Sequence, residues 1–440
     1  MNKSAGPFFP TTAESMRISM AGDDCSLHFE LEELTPKQQA DHVSNQVLTG
    51  MLQVALLYIA KAEDVVCLYE DFRSVPWAQD GLARYHRQFQ RLGLEPLPLD
   101  RAQFHPREGF YDSVAETPGH TELETLYMVS GANTPLHRDP AALTASRNLN
   151  SKAHFAAHAP AFGLPVPATL VTTKGELASA DATAFMARHG LPMMLKTLGL
   201  AGARNVTTIA TPEEADAYLA EYDADFPVIL QARLDTSRYR EMTVDLFVST
   251  DAIRVTNVRQ ILFADGLWVG NLMGPDVQLA SDDEATLLQV GAYAREHGYR
   301  SDTGFNLGID YFVDTRPASD EPRLIITEIN ARWTGGLFPA ELVRRLGISN
   351  RQVVAFIDMC PPEHFSAYMD FVDKHLHGYG SAGFGIAPMG FAPYVSELDG
   401  TEQIFVWQIV VDDFEAFKTA KLRELPDTAL PTAPVVRIGL

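Results

Sequence analysis

Two short runs of this chain carry side chains suited to handling a charged phosphate. The first is Gly308-Ile309-Asp310-Tyr311-Phe312-Val313-Asp314. The second, past a polar turn, is Leu324-Ile325-Ile326-Thr327-Glu328-Ile329-Asn330-Ala331-Arg332. Both read as strands, and a hairpin between them would bring Asp310 and Glu328 to the same end of a sheet. On the second strand Glu328, Asn330 and Arg332 stand at i, i+2 and i+4, so the spacing predicts one shared face. Asp310, Glu328 and Asn330 offer the oxygen ligands that magnesium prefers, beside water and phosphate. Arg332 adds a planar donor for a phosphoryl group. The competing reading is a half-solvated strand whose other face carries Ile325, Thr327 and Ile329.

Cations lie upstream. Lys196 ends an apolar run over 192–196 and opens onto Gly199-Leu200-Ala201-Gly202-Ala203, a small-residue loop whose N–H groups suit phosphate oxygens. Lys152 is a second candidate, and for either lysine the plain alternative is a solvated strand or helix end. Further on, an apolar strand over 228–234 contains Gln231 and ends in a polar hinge, and Glu241 opens the next strand. Trp268, Arg240, Arg259 and His137 are further polar or aromatic candidates for the pocket, each with a structural alternative.

The elements that must position these groups follow from periodicity. From Ser44 a helix is expected with Val47, Leu48, Met51, Leu52, Ala55, Leu56 and Ile59 on one face. A strand over 65–69, a helix over 81–92 and an extended stretch over 94–99 complete a small open α/β domain. After Asn148 come a helix from Ser151, an extended stretch over 166–172, a helix ending near Gly190 and the strand over 192–196. Thr211-Pro212-Glu213-Glu214 reads as a capped helix start. Strands over 228–234, 242–248, 253–263 and 267–271 follow, then a helix capped by Ser281. A glycine- and aromatic-rich stretch over 379–394 precedes a strand over 404–411 and a helix from Asp413.

At 440 residues the chain exceeds one ordinary core. The expected division is 1–145, 146–350 and 351–440. A net charge of −22 argues against a sequence-independent nucleic-acid surface. The apolar stretch from Met51 to Ala60 is too short to span a membrane and is interrupted by Gln53. The first twenty residues hold no signal-peptide core, and Cys25, Cys67 and Cys360 have no paired spacing. Reduced thiols in a cytoplasmic protein are the expectation.

Over roughly 148–347 the order of these features resembles the ATP-grasp superfamily. Glu328-Ile329-Asn330-Ala331-Arg332 is similar to the metal-binding strand of its carbamoyl-phosphate-synthetase-like and carboxylase-like members. Leu149-Asn150-Ser151-Lys152 before Gly163-Leu164-Pro165-Val166-Pro167 looks like peptide ligases with a pre-ATP-grasp domain. The resemblance implies an α/β fold: an N-terminal pre-ATP-grasp domain, then the two-lobed ATP-grasp fold with a C-terminal extension. It implies that Lys152 and Lys196 contact ATP phosphates, that Gln231 and the backbone at Leu234 hold adenine, and that Glu241 holds ribose. Asp310, Glu328 and Asn330 would ligate Mg2+, and Arg332 would stabilise the transferring phosphoryl group. Thr334-Gly335-Gly336 would offer N–H groups to a substrate carboxylate, or would simply be a helix-entry turn. The loops over 199–204 and 271–276 are candidate lids. Two departures stand out: Ala201 and Arg204 replace the serine and further glycine of many relatives, and 235–240 lengthens the hinge. The implied activity is amide formation between a small carboxylate and an amine through an acyl phosphate. A bicarbonate-activating enzyme and a non-catalytic ATP-binding regulator remain the alternatives. The last 90 or so residues would complete the substrate site or form an interface, with a homodimer left open.

Overall fold

The computed structural model describes residues 17–19, 49–116, 123–125, 140–197, 206–235, 237–264, 267–316, 323–380, 383–395 and 402–428. The loop over 199–204 and His137 lie outside these residues, as does the side chain of Trp268. Four parallel strands open the chain: β1 (Arg17–Ser19), β2 (Val65–Tyr69), β3 (Ala102–His105) and β4 (Leu123–Thr125), in the order β3-β2-β1-β4. The helix over 49–59 buries Met51, Leu52, Ala55, Leu56 and Ile59 of the expected face, while Ser44, Val47 and Leu48 lie outside the described residues. It also buries Val54, Leu57 and Tyr58, so the helix is enclosed on all sides. The next long helix runs Pro76–Arg91, starting ahead of the expected Gly81 because Pro76 fits the first turn, where no N–H is needed.

A small antiparallel sheet follows, with β5 (Thr169–Thr173), β6 (Met193–Thr197), β7 (Val206–Ile209) and β8 (Pro227–Ala232) in the order β5-β8-β6-β7. Its helices begin where the sequence caps them. Ser179 accepts from the Ala182 amide, and Thr211 from the Glu214 amide.

The remaining strands form one antiparallel sheet of eight. They are β9 (Tyr239–Val248), β10 (Ile253–Ala264), β11 (Leu267–Met273), β12 (Phe305–Asp314), β13 (Leu324–Asn330), β14 (Val353–Cys360), β15 (Phe384–Val395) and β16 (Glu402–Asp412), ordered β13-β12-β9-β10-β11-β14-β16-β15. The helix Ser281–Glu296 packs against β9 and β10. Its glycine, Gly291, allows close approach, since a Cβ there would lie 2.6 Å from Ile253 Cγ2. Ser281 is not its cap: Ala280 holds that position, with no side-chain bond to the first turn.

Two expected boundaries meet continuous structure. Residue 145 falls inside the helix Pro140–Asn150, and β14–β16 extend the sheet begun by β9–β13. Accordingly one hydrophobic core runs from the parallel sheet through the eight-stranded sheet, whereas β5–β8 and their helices enclose a separate cluster around Met193, Leu195, Val228 and Leu230. The first body is also pinned by polar contacts: Tyr58 Oη donates to the Phe338 carbonyl at 3.1 Å, and Arg345 Nη2 to the Ile59 carbonyl at 2.9 Å. Among the described residues no helix is long and apolar enough to cross a membrane.

Candidate active site

The chemistry-bearing residues gather on one face of the eight-stranded sheet, and register decides which ones. Across β9, β12 and β13, Asp310 stands opposite Thr243 on one side and Glu328 on the other; Gly308 stands opposite Asp245 and Asn330; Phe312 stands opposite Glu241. The other face carries Val244, Leu246, Leu307, Ile309 and Ile329, all at most 1% exposed. Period-two alternation thus puts Glu241, Thr243 and Asp245 on the polar side of an otherwise apolar strand.

Two β-bulges complete that face. β13 shifts register between the pairs Asp310–Glu328 and Tyr311–Ile326, leaving Thr327 as the extra residue. Without it Glu328 would point to the opposite face. β10 shifts in the same way at Thr256, which brings Asn257 and Arg259 opposite Asp245 and Thr243. Each bulge is tied by its threonine hydroxyl to a main-chain carbonyl of an acidic residue: Thr327 Oγ1 donates to Asp310 O at 3.1 Å, Thr256 Oγ1 to Asp245 O at 2.9 Å.

Arg332 reaches the site by a different route from the one its spacing predicts. β13 ends at Asn330, and the Arg332 amide donates back to the Asn330 carbonyl at 2.8 Å, so the chain turns before Arg332. The guanidinium nevertheless returns to donate from Nη2 to Asn330 Oδ1 at 3.0 Å, while Asn330 Nδ2 donates to Asp310 Oδ2 at 3.2 Å. Asp310, Asn330 and Arg332 therefore form a chain of hydrogen bonds.

The cations approach from the smaller sheet and the helix beside it. Ser151 caps the helix Lys152–His158, and Lys152 Nζ donates to Glu328 Oε1 at 2.7 Å. Lys196, in β6, is 7% exposed and faces Glu328, Glu241 and Asp310. Burial lowers its pKa to about 8 despite those carboxylates. Burial likewise raises Glu241 to about 8, helped by the Asp310 charge, and raises Asp310 to about 6, helped by Glu328. Burial acts on Glu328 as well, but Lys152 and Lys196 outweigh it and hold its carboxyl below the ordinary range.

Beside the lysines a small cleft is lined by Lys152, Phe155, Thr169, Lys196, Gln231 and Thr327. Gln231 Nε2 is already donated to Thr169 Oγ1 at 3.0 Å, so Thr169 is a lining residue that sequence reading did not single out. Leu234 lies in the loop beyond β8, half-buried and outside this lining. Arg240 is exposed, and Arg259 is buried in an ion pair with Asp245.

The donor set fits a magnesium ion held jointly with phosphates. Asp310 and Glu328 are two carboxylates on facing positions, the Glu328 charge adds to the cost of burying Asp310, and a divalent cation would relieve that cost. Among the described residues no three His, Cys, Asp or Glu side chains converge as a metal cage. Asn330 is the weaker ligand as placed, because its Oδ1 accepts from Arg332.

No family model matches the chain, and no curated protein matches it in sequence. Solved structures do. It is similar to N5-carboxyaminoimidazole synthetase from Staphylococcus aureus complexed with ADP, at 11% identity and TM-score 0.54 over 96% of this chain and 99% of that one. Phosphoribosylamine–glycine ligase from Thermotoga maritima matches at 14% identity and TM-score 0.51, over 94% and 97%. Biotin carboxylase from Campylobacter jejuni matches at 11% and 0.50, over 79% and 89%. These are ATP-grasp enzymes, and what this chain shares with them is the ATP-grasp fold.

Proposed function

We propose that this chain is an ATP- and magnesium-dependent ligase that activates a small, amino-acid-like carboxylate as an acyl phosphate and joins it to an amine. The observation that carries the reading is the convergence of Lys152, Lys196 and Arg332 on Glu241, Asp310 and Glu328, from two sheets with separate cores. Clusters of partly buried charges with shifted pKa values concentrate where a charged ligand repays their burial.

In this reading the cleft beside Gln231 takes adenine, with Glu241 toward the ribose and the backbone near Leu234 completing the hinge. Lys152 and Lys196 hold phosphates, which requires Lys152 to exchange its Glu328 partner for a phosphate oxygen. Asp310 and Glu328, with Asn330, would hold magnesium, whose charge offsets that of the triphosphate. A substrate carboxylate oxygen attacks the γ-phosphorus in line, and the bond to the ADP oxygen breaks. Arg332, held by Asn330, donates to the phosphoryl oxygens as charge develops there. The amine then attacks the acyl carbon, phosphate leaves with the original carboxylate oxygen, and an amide remains. Cys67 and Cys360, both buried, suit a cytoplasmic enzyme, which is the location proposed; a homodimer is left open.

The test starts from pairs of amino acids screened for ADP release. The responding acid, labelled with heavy oxygen in its carboxylate, should place label in inorganic phosphate, and Arg332→Ala should slow the transfer by about a hundredfold or more. Label in AMP would establish adenylation instead. Unlabelled phosphate from ATP hydrolysis alone would leave a regulator.

A further inference from the structure

The polar face of the sheet has two halves. One, around Asp310, Glu328 and Lys196, belongs to the reaction. The other is sealed: Asp245 and Arg259 form an ion pair whose side chains are 0% and 1% exposed. Asp245 is fully employed. Beyond the arginine, its Oδ1 accepts from Asn306 Nδ2 at 3.0 Å and from Thr334 Oγ1 at 3.0 Å. Asn306 Nδ2 also donates to the main-chain carbonyl of Arg332 at 2.9 Å. On the other side, Arg259 Nη2 reaches Thr243 Oγ1 at 3.5 Å, and Thr243 stands opposite Asp310 across β9 and β12. The connection therefore runs from Thr243, the strand neighbour of Asp310, through Arg259, Asp245 and Asn306 to the main chain of Arg332, and from Asp245 to the side chain of Thr334.

A buried ion pair is a poor device for stability, since well-packed apolar residues of the same volume serve as well or better. Its use is in fixing one arrangement. Two glycines keep room for it. A Cβ on Gly336 would lie 2.5 Å from Arg259 Nε, and a Cβ on Gly308 would fall inside contact distance of the Thr334 methyl. The turn Thr334-Gly335-Gly336 is thus seated on the guanidinium, and it leads directly into the helix Leu337–Arg345.

We propose that Asp245 and Arg259 are positioning residues, which act through Asn306 and Thr334 to hold Arg332 and the Thr334–Gly336 turn at a fixed distance from Asp310. They touch no substrate. Their effect is on the placement of the group that meets the transferring phosphoryl and of the N–H groups beside it. A misplacement of about 1 Å at such a group costs about a hundredfold in rate. The kinetic part of this inference rests on the ligase reading above; the geometric part does not.

Asp245→Asn would strand a buried arginine and risk unfolding, so the informative pair is Thr334→Val and Thr334→Ser. Valine keeps the shape and removes only the hydroxyl; serine restores it. Hydrogen exchange of the full-length protein, read by mass spectrometry, should quicken in the valine variant in the peptide over 331–338 and stay unchanged in β9 and β10. With ATP, magnesium and an equimolar mixture of the twenty amino acids, kcat for ADP release should fall by about a hundredfold. KM for ATP should stay within about twofold, and Thr334→Ser should remain within about threefold of the parent on every measure. Unchanged exchange over 331–338 would overturn the proposal, as would a uniform rise across the whole protein, or a serine variant as impaired as valine. Should the parent release no ADP with any amino acid, the ligase reading falls and the exchange arm still decides this one.

Discussion

Glu241 offers a measurable charge cost in the site without nucleotide. Its carboxyl is raised from 4.5 to about 8, first by burial and then by the Asp310 charge. Between those values the folded chain binds a proton that the unfolded chain has released, so this residue's contribution to stability falls as pH rises through the window. At 1.36 kcal/mol per pH unit, the ceiling is about 3 kcal/mol lost between pH 4.5 and 7, with about 1 kcal/mol more by pH 8. Water entry into a half-buried site reduces this, and about 1–2 kcal/mol is the expected net figure at pH 7. Glu241→Gln keeps the shape and cannot ionise. Urea unfolding of both proteins from pH 5 to 8, without nucleotide, should show the variant near the parent at pH 5 and progressively more stable toward pH 8. Asp310 titrates in the same direction and is coupled to Glu241, so the difference between the two proteins reports the pair and not Glu241 alone. Parallel stability curves would refute the reasoning, because they would mean that Glu241 is solvated and already ionised in the folded chain.

Two further substitutions probe the charges that face it. Lys196→Ala should weaken ATP binding far more than adenosine binding, by calorimetry, since the lysine faces carboxylates and a phosphate path and not the ring end of the cleft; equal losses would place it elsewhere. Glu328→Gln should abolish ADP formation while leaving the circular dichroism spectrum unchanged, and turnover at the parent rate would remove the metal assignment.

Local chemistry was legible in the sequence at three helix starts and misread at a fourth, Ser281. The caps at Ser151, Thr211 and Asp413 stand where their residue types predict. Strand identity was legible too, for β9, β10, β12, β13 and β16. Register was not. Spacing alone puts Glu328 and Arg332 on one strand face, whereas a bulge at Thr327 turns Glu328 inward and a turn after Asn330 carries Arg332 off the strand. A bulge adds one residue without any composition of its own, so only the pairing partner reveals it. β15 was obscured for another reason: Phe384–Val395 holds two glycines and two prolines, which read as loop, yet it is the edge strand, where a missing N–H is tolerated. The Asp245 network had one visible signal, an aspartate two residues from a threonine and four from a glutamate in an apolar run, but its partners lie far along the chain.

The small sheet enters and leaves the rest of the protein by neighbouring strands. β5 begins at Thr169 and β8 approaches its end at Gln231, and these two residues are paired. The segment between them is therefore an insertion with adjacent ends, built around an apolar cluster that owes nothing to the larger body. Such a piece can swing as a flap without exposing its interior, and the attraction of Lys196 for the carboxylates of the larger body is one of the forces that would resist the swing. An anion entering the gap would then compete with those carboxylates for Lys196, so closure of the flap would carry an ionic part.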